Sequence, residues 1–342
     1  WFEGTSDFNP GSGVFNMTSV GTSDIFITKQ NAAGNFVWAK QIGSTGLNKG
    51  ISITTDAAGN IYVTGVFFGT ADFNPGAGVF NLTSAGDADV FVLKLDAAGN
   101  FVWAKQLGSS LIDAANAIAL DASGNVLVGG GFQGTGDFDP GAGIATLTSA
   151  GNYDVFIAKL NTSGDLLWVK QAGAAGSDLL NSLSSDALGN VYVTGHFSNT
   201  VDFDPGAGTS SLTSNGDTDV FIWKLNGSGN LVWVKQIGST QADYGSKLTT
   251  MQSGFIHITG QYRGLADFDP GTGVFDLNVV NAIGDFFILK LDTAGNFVWA
   301  NKVGGSTEEY GNGIVVDGAG NVFLAGSFSG NVDFDSGAGV NL

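Results

Sequence analysis

Residues 50–67, GISITTDAAGNIYVTGVF, and residues 89–108, DVFVLKLDAAGNFVWAKQLG, decide the architecture of this chain. Each is a pair of short runs rich in Ile, Val, Phe and Trp, interrupted by DAAGN. The first Asp of that interruption can accept hydrogen bonds from its own backbone. The Gly takes the left-handed position of a type I turn closed by a bulge. Each stretch therefore reads as a β-hairpin: strands A and B at residues 51–67, strands C and D at residues 90–106.

The two hairpins recur along the whole chain. Tryptophans stand at Trp38, Trp103, Trp168, Trp233 and Trp299, and DF[ND]PG begins at Asp7, Asp72, Asp137, Asp202 and Asp267, so the period is 65 residues, with 66 at the last tryptophan. A fixed long period means one supersecondary unit stacked on copies of itself. A strands are expected near Gly50, Ala115, Asn181, Ser246 and Gly313, and C strands at Ile25, Val90, Val155, Val220 and Phe286. Four antiparallel strands repeated radially are the blades of a propeller. Residues 1–342 are thus expected to form one all-β domain, a five-bladed β-propeller. Its N-terminal C–D pair would complete the sheet of its C-terminal A–B pair, so that the termini close one shared blade. Asp333 begins a sixth DF[ND]xG copy, which either overlaps at that seam or continues toward a neighbouring domain. Opening in mid-repeat, the sequence reads as a piece of a longer polypeptide.

The net charge of −18, from 31 acidic and 13 basic residues, disfavours nucleic acid and anionic membranes as partners. The sequence has no apolar run long enough to span a bilayer. With no cysteine there are no disulfides or thiolate metal sites. Most of the lysines sit at two repeat positions, Lys29 with Lys94, Lys159, Lys224 and Lys290, and Lys40 with Lys105, Lys170, Lys235 and Lys302, as scaffold residues do.

In such a meander the DxxGN turns occupy one end of each blade, and the B–C and D–A connections the other. Two acidic sets belong to that second, loop-rich end. Asn48, Asp113, Asp178, Asp243 and Glu309 share one position in the D–A loops and could form a ring of binding groups. In the B–C loops Asp72 with Asn74, Asp137 with Asp139, Asp202 with Asp204, and Asp267 with Asp269 are spaced two apart, on one side of an extended chain. Paired hard oxygens suit calcium, whereas Asp or Asn before Pro-Gly equally suits a turn cap. Asp24, Asp89, Asp154, Asp219 and Asp285, before each C strand, are expected to cap the backbone or pair with scaffold lysines. The departures from the repeat near the loop end are His196, Gln261, Tyr262 and Arg263, with Lys247 in an A strand. His257 reads as a packed core residue.

GNIYVTG at 59–65, GNVYVTG at 189–195, the 89–108 stretch and EEYGNGIVVD at 308–317 together resemble the bacterial β-propeller repeat family SBBP. That resemblance implies a portion of a large secreted or surface-attached bacterial protein, with no shared enzymatic activity. The sequence departs from the family pattern in its long B–C segment with DF[ND]PGxG. The function expected is a non-catalytic module for adhesion, spacing or assembly at the cell exterior. Its partner would be a protein or glycan surface or a neighbouring domain, with calcium as a stabilising cation. A carbohydrate-binding propeller, using aromatic-plus-Asp/Asn pairs such as Phe73 with Asn74, is the alternative, though Phe73 reads better as the buried partner of an alternating strand, and a glycoside hydrolase-like enzyme is the third reading.

Overall fold

The computed structural model describes residues 1–251, 254–279, 284–305 and 307–334. It resolves into two compact units. The first comprises Trp1–Leu120, Gly124–Thr148 and Ile157–Val169; the second comprises Asp121–Ser123, Ser149–Phe156 and Lys170–Leu342. Every regular element among the described residues is a strand.

Strand order in the complete sheets is A–B–C–D, all antiparallel. One sheet holds Asn48–Thr55, Ile61–Phe67, Asp89–Leu95 and Phe101–Ser109; a second holds Ala114–Leu120, Val126–Phe132, Asp154–Leu160 and Leu166–Ala172. A third holds Leu179–Ser185, Val191–Phe197, Asp219–Leu225 and Leu231–Ile237; a fourth holds Tyr244–Thr250, Phe255–Tyr262, Asp285–Asp292 and Phe297–Gly305. The remaining C–D pair, Ile25–Gln30 with Phe36–Ile42, and the remaining A–B pair, Tyr310–Val316 with Val322–Ser327, are each two-stranded.

The sequence chemistry explains these strands. At the A–B turn Asp56 Oδ1 accepts from the N–H of Ala58 (3.0 Å) and Asn60 (2.9 Å), and Gly59 adopts φ +81°. In the complete sheets, residues of strands B and C are buried along almost their whole length, which is why they are continuous apolar runs rather than alternating ones. Strand D is less buried, exposing Val102 while burying Ala104 and Leu107. Each A strand carries a bulge, at Gly50/Ser52, Ala115/Ala117, Leu180/Ser182, Gly245/Lys247 and Gly311/Gly313. Opposite each bulge stands the glycine that ends the V-T-G stretch or its equivalent. A Cβ on Gly65 or Gly195 would strike the Lys49 or Leu179 carbonyl across the pair.

The B–C connection is more ordered than its sequence suggests. It folds as a small hairpin of three-residue strands, Thr70–Asp72 with Asn81–Thr83, repeated at Thr5–Asp7/Asn16–Thr18, Thr135–Asp137/Thr146–Thr148, Thr200–Asp202/Ser211–Thr213 and Leu265–Asp267/Asp276–Asn278. Facing threonines bond side chain to side chain, as Thr70 does with Thr83 at 2.8 Å. The hairpin's Asp also pairs with the glycine ending the previous repeat's D strand: Gly43 with Asp72, Gly108 with Asp137, Gly238 with Asp267, Gly304 with Asp333.

Its Phe is a core residue. Phe73 lies 5.2 Å from Phe67 and 5.1 Å from Phe91, ring centre to ring centre, and is fully buried, as are Phe138, Phe203 and Phe268. Burying each ring contributes about 1.5–3 kcal/mol. The repeated tryptophans are half-buried. Trp103 and Trp233 donate their Nε1–H to Thr162 O (3.2 Å) and Thr293 O (3.1 Å) in the next repeat's C–D turn. Lysines of strand C reach the same turns: Lys29 Nζ donates to Ala97 O at 2.7 Å and Lys224 Nζ to Thr293 O at 2.8 Å.

Candidate functional site

The D–A acids are interior groups rather than a ring offered to a partner: Asn48, Asp113, Asp178, Asp243 and Glu309 are all at most 1% exposed. Three of them staple the D–A loop to the end of strand B by accepting backbone N–H bonds. Asp178 takes Ala174 N and Ser198 N, both at 2.8 Å; Asp113 takes Ser109 N and Gln133 N; Asp243 takes Ser239 N and Arg263 N. Asn48 puts an amide at this position, its Nδ2 donating to Ser44 Oγ and Ser23 O, and Ser44 Oγ makes the link to the end of strand B by donating to Phe68 O at 3.1 Å. Glu309 accepts from Thr307 Oγ1 at 2.9 Å and Gly305 N at 3.2 Å.

The Asp before each C strand is buried beside the staple. Asp89 Oδ2 accepts from Ala85 N at 2.9 Å and from Gln106 Nε2, and Asp24, Asp154 and Asp219 repeat the pattern with Gln41, Gln171 and Gln236. Among the described residues the expected lysine partner occurs at Asp285, bonded by Lys302 Nζ at 3.3 Å. Register explains the difference: Lys302 faces Phe287 as Gln236 faces Phe221, so it occupies the glutamine position and not that of Lys235. The Oδ1 atoms of Asp24, Asp89, Asp154 and Asp219 are buried without a hydrogen-bond partner. Asp89 and Asp113 meet across Gly108, where a Cβ would lie 2.7 Å from Asp89 Cγ and 2.9 Å from Asp113 Oδ2. Burial raises the Asp89 carboxyl from the ordinary 3.8 to about 6 despite the donated N–H bonds, with the Asp113 charge adding to the rise. Burial likewise holds Asp178 and Asp243 at about 6.

The hairpin carboxylates close their own loop. Asp72 Oδ1 accepts from Asn74 N (2.9 Å) and Phe80 N (2.8 Å), while Asn74 Oδ1 accepts from Gly76 N (2.9 Å). Asp137 with Asp139, Asp202 with Asp204, and Asp267 with Asp269 do the same. Both turn-cap roles read from the sequence are thus filled by Oδ1. Beside Asp137 and Asp139 lies a groove of about 420 Å³, walled by Gln106, Ser109, Ser110 and Thr135. Among the described residues no three His, Cys, Asp or Glu side chains gather as a metal-ligand set. The Phe73 ring, offered with Asn74 as a sugar platform, faces the core.

The residues that break the repeat are tied into local contacts, and His196 and Lys247 share Asn181. His196 stacks edge-on against Tyr244 at 4.9 Å, with Asn181 Nδ2 3.4 Å from its Nδ1, and burial lowers its pKa to about 4. Arg263 pairs with Glu308 Oε1 at 2.6 Å, whose Oε2 accepts from Tyr310 OH at 2.7 Å. Gln261 Nε2 donates to Glu309 O at 3.4 Å. Lys247 Nζ reaches Asn181 O at 3.5 Å, and burial lowers its pKa. His257 is fully buried against Trp299, held at about 4 by burial and by the charge of Lys290, in keeping with a core residue. Sequence reasoning missed Tyr244, Glu308 and Tyr310. Their signal was available, since Tyr244 and Tyr310 stand where earlier repeats carry Lys49, Ala114 and Leu179.

Comparison with known proteins places the chain among repeat proteins. It is 27% identical over 333 residues, 80% of this chain and 23% of the other, to an uncharacterized WD repeat-containing protein of Acanthamoeba polyphaga mimivirus. It is 25% identical over 175 residues, 51% of this chain and 17% of the other, to the regulatory protein FlaEY of Caulobacter vibrioides. The chain therefore spans about a fifth of the length of these relatives. A crystal structure of a protein of unknown function from Bacteroides caccae aligns over 79% of this chain and 86% of its own, at TM-score 0.31 and 13% identity, a likeness too slight to argue from. Residues 37–66, which run from strand D through strand A into strand B, match the β-propeller repeat SBBP, and the chain is an all-β protein carrying that family's repeat.

Proposed function

We propose that the chain is a non-catalytic binding module, a single five-bladed β-propeller whose N-terminal C–D pair completes the blade begun by its C-terminal A–B pair. Five strands of each kind and one unpaired edge on each half-sheet support that closure. One observation carries the functional reading: the polar groups of the loop end make the same backbone bonds in repeat after repeat. Catalysis instead needs unlike groups converging on one bond. What varies along the loop end is charge, because Asn9 and Asn74 are replaced by Asp139, Asp204 and Asp269 in the same turn-capping role. Such a face suits a protein partner with a basic surface at the exterior of a bacterial cell, with several weak sites engaging together.

The test changes Asp139, Asp204 and Asp269 to Asn, which keeps the bond to Gly141, Gly206 and Gly271 and removes three charges. Binding to an immobilised Lys-rich peptide should weaken, and its salt dependence flatten, relative to the unmodified protein. Unchanged binding would remove the loop end from the function. A hydrolase activity abolished by replacing His196 or Arg263 alone would overturn the non-catalytic reading.

The groove beside Asp137 and Asp139 favours a second role for this end, weak calcium binding through the carboxylate oxygens that the turns leave over. A melting temperature equal in calcium and in chelator at matched ionic strength would refute it.

A further inference from the structure

Each repeat brings two buried polar groups together where its D–A loop meets strand C. A parallel bridge sets the residue before the strand C acid beside the residue before the D–A group: Ser23 with Leu47, Ala88 with Ile112, Tyr153 with Ser177, Thr218 with Ala242. The side chains that follow are Asp24 with Asn48, Asp89 with Asp113, Asp154 with Asp178 and Asp219 with Asp243, all at most 1% exposed. Asp89 and Asp113 meet at Gly108, where a Cβ would lie 2.9 Å from Asp89 Oδ1 and 2.9 Å from Asp113 Oδ2.

Two carboxylates in one dry site resist ionising together. The two repeats that depart from the Asp–Asp pair each remove one negative charge, by different chemistry. Asn48 is uncharged, and Asp285 with Glu309 is offset by Lys302 on Asp285. One proton in each remaining pair would leave every repeat with the same single charge. The hydrogen bonds say which member carries it. Both oxygens of Asp113 accept backbone N–H groups, Oδ2 from Ser109 and Oδ1 from Gln133, and Asp178 and Asp243 are held alike. These are built as anions. Oδ1 of Asp89, Asp154 and Asp219 is buried with no donor, and a proton there neutralises the group.

We infer that Asp89 with Asp113, Asp154 with Asp178 and Asp219 with Asp243 each hold one proton, on the strand C member, and that its loss unfastens the D–A loop from strand B. Facing Asp89 are Phe67 of strand B, Gln106 of strand D and Asp113; facing Asp219 are Phe197, Gln236 and Asp243; facing Asp154 are Gln171 and Asp178. Asp137, paired with Gly108 through its backbone, turns Oδ1 to the Asp139 and Ala145 N–H groups. Near Asp243, burial and the charges of Asp285 and Asp243 keep the Tyr262 hydroxyl protonated, and the Arg263 guanidinium is on Glu308. Burial raises all six carboxyls, to about 6 at Asp89, Asp178 and Asp243. The catch is therefore closed in acid and opens as the pH rises through about 6. It stands whether or not the loop end binds a partner.

Carbon NMR of the aspartate carboxyls in the full chain between pH 4 and 8 tests the pairs. Asp113→Asn should lower the Asp89 midpoint by about one pH unit and leave Asp154 and Asp219 unmoved. Asn48→Asp gives the first repeat the pair it lacks and should raise the midpoint of Asp24; it decides the matter alone if Asp113→Asn does not fold. Amide exchange at Ser109 and Gln133, divided by the intrinsic rate at each pH, should quicken several-fold as the unmodified protein passes the Asp89 midpoint. Midpoints of Asp89 and Asp24 unmoved by these changes would overturn the shared proton and leave burial as the whole cause. Moved midpoints with exchange at Ser109 and Gln133 independent of pH would overturn the release of the loop.

Discussion

Replacing Asp89 with Asn should make the protein more stable at neutral pH. Asp89 is fully buried, and only its Oδ2 is satisfied, by Ala85 N and Gln106 Nε2. The amide oxygen of Asn can take that place, turning its NH2 toward Asp113 across Gly108, where the carboxylate now presents an oxygen with no donor. A carboxyl held at about 6 rather than 3.8 binds its proton more tightly in the folded state than in the unfolded one. The stability it contributes is therefore fully present below pH 3.8 and is lost as the pH rises through about 6. The loss is on the order of 3 kcal/mol at most. Giving up two charge-assisted hydrogen bonds offsets part of the gain, leaving about 1–2 kcal/mol. Urea unfolding followed by tryptophan fluorescence at pH 4, 6 and 8 should show the variant ahead of the unmodified protein at pH 8 and level with it or behind at pH 4. A variant that is less stable at pH 8, or whose pH slope matches the unmodified protein, would refute the reasoning.

Gly59→Ala should lower stability by about 1 kcal/mol, read from the urea midpoint, because Gly59 holds φ +81° in the A–B turn. Asp186→Ala should cost about 1–3 kcal/mol, since Asp186 accepts from Leu188 N, Asn190 N, Asn190 Nδ2 and Tyr192 OH. Those bonds outweigh burial and hold its carboxyl below the ordinary value. Its contribution is therefore present above pH 3.8 and lost as pH falls through the lowered value, opposite in sign to Asp89, and acid titration of the two variants should separate them. Lys224→Met should cost about 1 kcal/mol in thermal unfolding, by removing both the bond to Thr293 O and the 4.9 Å contact with the Tyr192 ring.

The strands were legible because short apolar runs and the DxxGN turn between them are local signals, each hairpin confined to about twenty residues. The B–C hairpin was hidden because its strands, such as Thr70–Asp72, are three residues long, too short for alternation to register. Phe73 gave a partial signal, reading as buried, yet the partners that bury it, Phe67 and Phe91, come from other strands. The D–A acids were located correctly but their orientation was not: nothing in DAANA or DLLNS tells whether Asp113 or Asp178 turns outward or back onto its own loop. The glutamines at Gln41, Gln106, Gln171 and Gln236 recur at one position and could have been matched to the aspartates before strand C. Lys302 obscured that match, because it is the lysine nearest to the scaffold position, which Asn301 in fact holds two residues after Trp299 as Lys235 does after Trp233.

The bonds between repeats have one further property. Lys29 reaches a residue 68 positions on, Lys94 68 and Lys224 69, while the contacts between successive A strands, Ile118 with Ser52 and Leu248 with Ser182, span 66. Among the described residues each of these bonds runs between neighbouring modules, so each depends only on the adjacent copy being of the right length. Unequal recombination that adds or removes one whole module, cut at any phase, leaves every remaining partner in place. A gene built this way can change length in steps of one module without passing through a broken intermediate, whereas a shift of a few codons would break the grip between two neighbours at once.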